Sequence, residues 1–359
     1  MSGEQPVGAV PPRYPPGGPV PPPYVPGAPV PPYGVGGPIP YDLNRPLLPP
    51  PLVEDPAPYH RLYRTNPRFA WWRPLVAVTL FAVFFGVASV IVSTIWFAIA
   101  YVTGDVDFDV LADQDALLAH LSDTSNPLSL AYLLTSLAVM LPALQLALLC
   151  VGLRPIGLRH SVAFRLRWRW MLWCAFPALV ITVLNTALSF VPLAFGETIE
   201  TVPVDMSVFA VSLVLIVLLV PLQAAAEEYV FRGLIMQTIG AWVRPVWIGI
   251  VVSTIIFTVG HTQYELWGML SVGVMGAGFA IVTWRTGGLE AAIALHVVNN
   301  VVSFLLLTSG VLGTTEMSSE GSTVLAPLIQ LVFTVAYLVW IEWGVRRRGI
   351  ARERELSAS

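Results

Sequence analysis

Residues 208–232 read VFAVSLVLIVLLVPLQAAAEEYVFR, and this stretch decides the fold because a long apolar run ends in charged residues. Apolar runs of about 20 residues predict a helix that spans a lipid bilayer. An ionised side chain at the centre of such a helix costs roughly 2.5–3.5 kcal/mol on insertion scales. Glu227, Glu228 and Arg232 therefore need a reason to be there, and the default interpretation is a functional site.

The composition excludes an ordinary soluble domain. Of the 359 residues, 55% are hydrophobic and only 11% are charged, and the mean hydropathy is +0.71. Soluble domains carry about 25% charged residues, so we predict an all-α integral membrane protein that has the lipid bilayer as a partner. The formal net charge is −3 and no domain is strongly basic, so we expect no nucleic-acid partner.

The apolar segments predict a bundle of about eight transmembrane helices. The spans are 74–102, 128–153, 170–195, 206–240, 245–263, 266–284, 288–309 and 324–345. Arginines precede the first span and follow every second crossing, whereas the other loops are acidic or lack Lys and Arg. This alternation obeys the positive-inside rule and predicts that both termini are cytoplasmic. The composition is typical of a bacterial chain, so we expect a multi-pass protein of the bacterial plasma membrane.

Outside the spans the sequence predicts two tails. Residues 1–60 hold 21 of the 32 prolines, which is typical of a disordered cytoplasmic tail with polyproline-II character. Residues 61–345 are the predicted polytopic membrane domain, with its motif core at 206–310. Residues 346–359 are a basic cytoplasmic tail.

Two pairs of polar residues within the spans have helical spacing. Glu228 precedes Arg232 by four residues, and His296 precedes Asn300 by four residues. Residues four apart share a helix face, so the first pair predicts an intrahelical ion pair and the second predicts two side chains facing one cavity. A further histidine, His261, lies near the end of the fifth span.

Depth and chemistry connect these residues. At about 1.5 Å per residue from the cytoplasmic ends, Glu227 lies roughly 18 Å deep, His296 about 12 Å and Asn300 about 18 Å. His261 lies about 24 Å deep and joins this layer only if its span starts lower or kinks. In a membrane cavity holding water, Glu227 can act as general base, His261 can hold the water, and His296 and Asn300 can donate to an oxyanion. No serine or cysteine is visibly paired with a base, so a covalent nucleophile is not favoured.

Three motifs resemble those of one protease family. Residues 227–232 (EEYVFR) look like the EExxxR motif of the CAAX-processing and bacteriocin-processing intramembrane proteases, also called CPBP or Abi proteins. Residues 257–261 (FTVGH) match the family's FxxxH motif, and residues 296–300 (HVVNN) match its HxxxN motif. The motifs occur in order on separate spans, and the resemblance covers about residues 206–310.

The resemblance implies a CAAX prenyl protease-like intramembrane endopeptidase of metallo- or glutamate type. In it Glu227 activates a water with His261, while an imidazole and an amide stabilise the oxyanion. The implied catalytic residues are Glu227, His261, His296 and Asn300, and the implied supporting residues are Glu228 and Arg232. Eukaryotic relatives remove the last three residues of prenylated CAAX proteins. We expect a peptide or protein substrate at the membrane. Prenylation is not expected in a bacterium, so three kinds of substrate remain possible: a peptide, a bacteriocin precursor and a membrane-protein terminus.

The cofactor and two alternative functions also stay open. A divalent metal, zinc in particular, would have Glu227, His261 and His296 as candidate ligands, although the chain has no HExxH motif. The same buried groups would also suit a transporter or proton relay, although no inverted repeat is evident. A catalytically silent member that binds a partner is the third possibility.

Overall fold

The computed structural model describes residues 56–191, 195–196, 198, 200–317, 319 and 322–354. The proline-rich tail predicted at 1–60 lies outside the described residues as far as residue 55. The helices of the described part are α1 (Arg73–Thr103), α2 (Phe108–Ala112), α3 (Gln114–Ser122), α4 (Pro127–Ala138), α5 (Met140–Val151), α6 (Trp168–Ala187), α7 (Met206–Val230), α8 (Gln237–Trp242), α9 (Val246–Val259), α10 (Leu266–Thr286), α11 (Glu290–Thr308) and α12 (Leu325–Arg348). A π-helix (Phe231–Met236) joins α7 to α8, 3-10 turns lie at Tyr59–Thr65, Ile156–Arg159 and Leu188–Phe190, and two short strands are β1 (Ala57–Pro58) and β2 (Glu353–Arg354).

Seven segments of the described chain are long and apolar enough to cross a membrane. They are α1, α4 with α5, α6, α7 through α8, α10, α11 and α12. They coincide with seven of the predicted spans, which confirms the multi-pass helical bundle. The remaining prediction, 245–263, corresponds to α9, whose 14 residues cover only about 21 Å. α9 is short because the chain turns at Gly260 and continues with polar residues, so His261 lies just outside the helix.

Three prolines in the membrane segments have different effects on their helices. Pro142 is the third residue of α5, and the span predicted at 128–153 breaks between α4 and α5 just before it. Proline has no N–H to bond the carbonyl four residues earlier, which here belongs to Ala138. Pro177 and Pro221 lie inside α6 and α7, which continue through them.

The two ends of the described chain lie side by side. β1 and β2 pair antiparallel, with Ala57 opposite Arg354 and Pro58 opposite Glu353. Two chain segments on the same side of a membrane are separated by an even number of membrane crossings. The seven long segments together with α9 give eight crossings. The pairing also moves both predicted tail boundaries. Ala57 is fully buried and α12 runs past residue 345 to Arg348, so parts of both tails belong to the folded domain.

The two halves of α7 have different surroundings. Before Gln223 several large side chains are exposed, with Val217 at 55% and Leu218 at 62%, as expected of a face turned toward lipid. From Gln223 to Val230 every residue except Ala225 is buried. Both α4 and α11 pack against α7. The charged end of α7 therefore lies inside the bundle rather than toward lipid.

A segment before α1 closes the far end of this helix. Residues 57–66, which we call the N-terminal strap, pack along α8. Arg61 Nη1 donates to the carbonyl of Gly240 at 2.7 Å, and the Tyr63 hydroxyl donates to the carbonyl of Gly233 at 2.9 Å. The last carbonyls of a helix lack partners within it, and the π-helix weakens the regular ladder before them. The strap therefore satisfies the backbone that follows the glutamate pair.

Candidate active site

The glutamate pair lies where the helix geometry changes. α7 ends at Val230, and the backbone N–H of Phe231 bonds the carbonyls of both Glu227 and Glu228 as the π-helix begins. A single π-helical stretch within an α-helix often marks a functional site, because the wider turn re-aims the side chains around it. Arg232 is the second residue of this stretch and is fully buried.

Glu228 and Arg232 form the ion pair that their spacing predicted. Arg232 Nη1 donates to Glu228 Oε1 at 2.9 Å, and both side chains are 0% exposed. Arg232 Nη2 also donates to the carbonyl of Gly276 on α10 at 2.7 Å, and the guanidinium lies 4.6 Å from the centre of the Phe257 ring. A Cβ on Gly276 would lie 2.8 Å from that ring, so glycine lets α10 come this close. These contacts offset part of the desolvation cost of a buried pair.

His296 joins the two glutamates across the bundle. Its Nδ1 donates to Glu228 Oε1 at 2.8 Å, and its Nε2 lies 3.5 Å from Glu227 Oε2. The ring is 2% exposed and stacks on Phe279 of α10, with centres 4.8 Å apart and planes 17° apart. Two contacts of different kinds therefore fix the imidazole between α7, α10 and α11.

Gln223 was not identified from the sequence, although it links the other two polar residues. Its Nε2 donates to Glu227 Oε1 at 2.7 Å, and its Oε1 accepts from Asn300 Nδ2 at 3.1 Å. Gln223 is 4% exposed. The sequence signal for Gln223 is its position, because it lies in an apolar run four residues before Glu227 and thus shares the helix face of that residue. The second oxygen of Glu227, Oε2, accepts no hydrogen bond from the described residues.

His261 lies apart from this network. Its Nδ1 donates to the carbonyl of Phe257 at 2.8 Å, and no hydrogen bond within the described part of the chain joins it to Glu227 or His296. The Phe257 ring packs against both histidines, with centres 4.6 Å from His261 and 6.1 Å from His296. The hydrogen bonds of the described residues therefore leave His261 outside the network that joins the other predicted catalytic residues.

Tyr264 accompanies His261 in the turn after α9. The two rings stack with centres 6.3 Å apart and planes 14° apart. Burial raises the pKa of Tyr264, and the charge of Glu227 raises it further, while a hydrogen bond with Gln263 lowers it. The phenol therefore stays protonated at neutral pH, and the turn remains electrostatically coupled to Glu227.

The three candidate metal ligands do not form a prepared site. His296 Nδ1 is occupied by Glu228, and the Phe257 ring packs against both His261 and His296. Over the described residues, no three His, Cys, Asp or Glu side chains come together in an arrangement that could hold a metal ion. This arrangement does not fit the three-ligand geometry of a hydrolytic zinc site.

The structure brings together five of the six predicted site residues and adds one. The connected residues are Gln223, Glu227, Glu228, Arg232, His296 and Asn300. The network has a carboxylate oxygen without a hydrogen bond, a neighbouring imidazole and an amide, all within the apolar interior of the bundle. Such a set can activate a water and stabilise an oxyanion.

Comparison with known proteins agrees with this arrangement. Residues 208–302 match the family described as type II CAAX prenyl endopeptidase Rce1-like. No curated protein and no solved structure matched the chain. The matched segment begins in α7, ends in α11 and contains all three motifs. The match over residues 208–302 is therefore to the protease family that the EExxxR, FxxxH and HxxxN motifs of this sequence resemble.

Proposed function

We propose that the protein is an intramembrane endopeptidase that cleaves a peptide bond with a water activated by Glu227. The observation that carries the proposal is the buried approach of Glu227 Oε2 to His296 Nε2, at 3.5 Å. Glu227 Oε1 is held by Gln223, so the carboxylate has one fixed oxygen and one that can take a proton from water. The Rce1-like match over the same residues supports the reaction class.

The proposed reaction uses Glu227 twice. The carboxylate removes a proton from the water, and the hydroxide attacks the carbonyl carbon of the scissile bond to give a tetrahedral oxyanion. The protonated Glu227 then gives its proton to the leaving nitrogen as the carbon–nitrogen bond breaks, which yields a carboxylic acid and an amine. A buried acid that first accepts and then donates a proton needs no covalent intermediate.

His296 and Asn300 are proposed to stabilise the oxyanion. Because His296 Nδ1 donates to Glu228, Nε2 carries a hydrogen only when the ring is an imidazolium. In the proposed complex Nδ1 keeps its bond to Glu228 while Nε2 donates to the oxyanion, and Arg232 holds Glu228 in place. Asn300 uses one Nδ2 hydrogen for Gln223 and keeps the other for the oxyanion.

His261 is proposed to contact the attacking water in the substrate complex. Its Nδ1 is bound to the Phe257 carbonyl, so Nε2 is an acceptor for a water hydrogen. The side chain is only partly buried and lies beyond the end of α9, in a turn without regular helical hydrogen bonds. Catalytic contacts are often long before substrate binds and shorten in the complex.

The proposed substrate is a peptide or membrane-protein segment presented at the bilayer, and both termini are proposed to face the cytoplasm of a bacterium. The pairing of β1 with β2 supports a common side for both ends. The arginines before α1 and in the last turn of α12 support the cytoplasm as that side.

The test compares membrane-peptide profiles of cells carrying the wild-type chain, Glu227→Gln or Glu316→Gln. Glu316 is an exposed residue outside the network and controls for loss of one carboxylate. We expect cleavage products that disappear with Glu227→Gln and persist with Glu316→Gln, while all three proteins reach the membrane equally. Identical products in all three would overturn the endopeptidase proposal.

The cofactor requirement is tested separately on purified enzyme. We propose that the protein groups suffice, since the three candidate ligands are not arranged around one point. Activity is expected to survive exhaustive chelation, with no zinc retained by elemental analysis. Activity that is lost on chelation and returns with added zinc would instead assign a metal to the site.

A further inference from the structure

A groove between α10 and α12 lies outside the polar network. It has a volume of about 530 Å³, with an apolar part formed by Ile281, Leu338 and Val339 and a charged end that includes Arg285 and Arg346. Both helices are membrane segments. We call this feature the α10–α12 groove.

The charged end carries an excess of positive charge around one carboxylate. Glu342 Oε1 is bonded by Arg285 at 3.0 Å, Arg346 at 3.0 Å and Arg352 at 2.7 Å. Three guanidinium groups against one carboxylate leave a local charge of about +2 at neutral pH. Arg346 is 74% exposed, so its donors are not all committed to Glu342. This end of the groove is therefore suited to an anion.

The position of the groove is that of a membrane surface. Val339 is 65% exposed and Trp343 is 50% exposed, so the apolar part opens toward lipid. Trp343 lies in the last two turns of α12, where tryptophan commonly marks the bilayer interface. Arg346 follows within one turn, and Arg347 and Arg348 end the helix shortly before β2, where the two ends of the described chain pair.

We propose that the α10–α12 groove binds an anionic phospholipid. The acyl chain lies along Leu338 and Val339, and the headgroup phosphate is bound by Arg285 and Arg346. Guanidinium groups bind phosphate with paired hydrogen bonds, and basic pockets between membrane helices select anionic headgroups. The combination of an apolar groove open to lipid and a net positive end matches both parts of one lipid molecule. The proposal is independent of the endopeptidase reaction.

The experiment is native mass spectrometry of the purified full-length protein titrated with phosphatidylglycerol or phosphatidylcholine. We expect one phosphatidylglycerol adduct to form at clearly lower lipid concentration than the phosphatidylcholine adduct. Replacing both arginines (Arg285→Gln with Arg346→Gln) should weaken that adduct by about fivefold for each guanidinium removed. Glycerol phosphate without acyl chains should not compete at equal concentration, because it lacks the apolar contact.

Two further variants test whether lipid binding depends on the groove itself rather than on the total charge or on correct folding. Arg347→Gln with Arg348→Gln also removes two positive charges, both from the end of α12, but among the described residues these arginines lie over the rings of Trp343 and Trp173 and form no ion pair with Glu342. That pair should retain the adduct. Val339→Trp fills the groove without touching the ion pairs and should weaken the adduct. Equal binding of the two lipids, equal loss in both arginine pairs, or an unchanged adduct with Val339→Trp would overturn the proposal.

Discussion

Glu227 and Glu228 are adjacent in sequence, but the helix directs them to different partners. Glu228 accepts from both Arg232 and His296 through Oε1, whereas Glu227 Oε1 accepts from the neutral amide of Gln223. The second oxygen of each carboxylate accepts no hydrogen bond from the described residues, and that of Glu227 lies 3.5 Å from His296 Nε2. A buried carboxylate paired with a cation is chiefly structural, because each charge offsets the other. A buried carboxylate that no arginine bonds, and whose second oxygen faces an imidazole, is available for proton transfer. The two positions should therefore respond differently to the same substitution.

Glu228→Gln should destabilise the fold, and Glu227→Gln should mainly abolish cleavage. The first leaves Arg232 buried without its counter-charge, and breaking such a pair costs about 3–5 kcal/mol. The second keeps a side chain of the same shape. The measurement is the melting temperature of each purified variant beside its cleavage rate. Equal melting temperatures for the two variants would contradict the division of roles.

Asn300→Ala should lower kcat by roughly 10²- to 10³-fold with a much smaller change in KM, as removal of an oxyanion donor does. Asn185→Ala is the matched control, since Asn185 belongs to a separate amide pair with Gln330 at 3.4 Å. The control should retain its kcat. A change confined to KM in Asn300→Ala would mean that the amide binds substrate rather than the oxyanion.

Gln223 should act through its two neighbours and is a positioning residue. Because it bonds both Glu227 and Asn300, the effects of Gln223→Leu and Asn300→Ala on kcat should not add. Residues in one hydrogen-bonded network typically show coupling energies of about 0.5–3 kcal/mol. A double-mutant cycle on kcat measures this coupling, and strictly additive effects would remove Gln223 from the network.

At the scale of elements, the join between α8 and the N-terminal strap depends on one close backbone approach. A Cβ on Gly240 would lie 1.9 Å from the carbonyl oxygen of His60, so alanine there must push the strap away. Overpacking of this kind costs about 1–3 kcal/mol. Gly240→Ala should therefore lower the melting temperature. Gly233→Ala is the control, because its Cβ would meet neighbours only at 3.7 Å, and equal shifts in both variants would contradict the strap contact.

The loop before α6 contributes a pH-dependent hydrogen bond between His160 and Tyr229 of α7. Burial lowers the pKa of His160 to about 4, assisted by the charge of Arg159, and the neutral ring accepts a hydrogen bond from the Tyr229 hydroxyl at 2.5 Å. The unfolded chain, with an ordinary histidine pKa near 6.5, binds more protons than the folded chain between about pH 4 and 6.5. Stability should therefore fall as pH drops through this window and be fully present above it.

The histidine contribution is isolated by comparing the wild-type chain with His160→Gln. The melting temperature of the wild-type chain should fall more between pH 7.5 and 4.5 than that of the variant. Parallel curves would show that His160 does not carry the effect.

At the scale of the whole molecule, the pairing of β1 with β2 makes a prediction about sidedness. After replacement of Cys150 and Cys174, single cysteines at Arg68 and Ala351 should react together with a membrane-impermeant thiol reagent from one side of sealed vesicles. Asp113→Cys, in the loop between the first two membrane segments, should react only from the other side. Labelling of Arg68→Cys and Ala351→Cys from opposite sides would contradict an even number of crossings.

Hydropathy and helical spacing predicted most of the membrane helices and one buried ion pair. A helix in lipid needs a long apolar run, and a buried charge in it needs an opposite charge on the same helix face. The spans and the Glu228–Arg232 pair follow from those two rules. Gln223 was missed because a single amide in an apolar run has no motif, and only its contacts on two helices reveal its place. The strap was also missed, because residues 57–66 have no periodic pattern and gain their partners only in the folded bundle.

The strap has a consequence for biosynthesis. Its hydrogen bonds to α8 and the π-helix span 170 to 179 residues of chain, so the ribosome releases the strap long before its partners exist. During that interval several hydrophobic segments must enter the bilayer before Tyr63 and Arg61 can bond their carbonyl partners. The first part of the domain to be synthesised is thus among the last to dock. If another contact held the N-terminal region of the nascent chain, translation would end before the strap had bonded the backbone that follows Glu227 and Glu228.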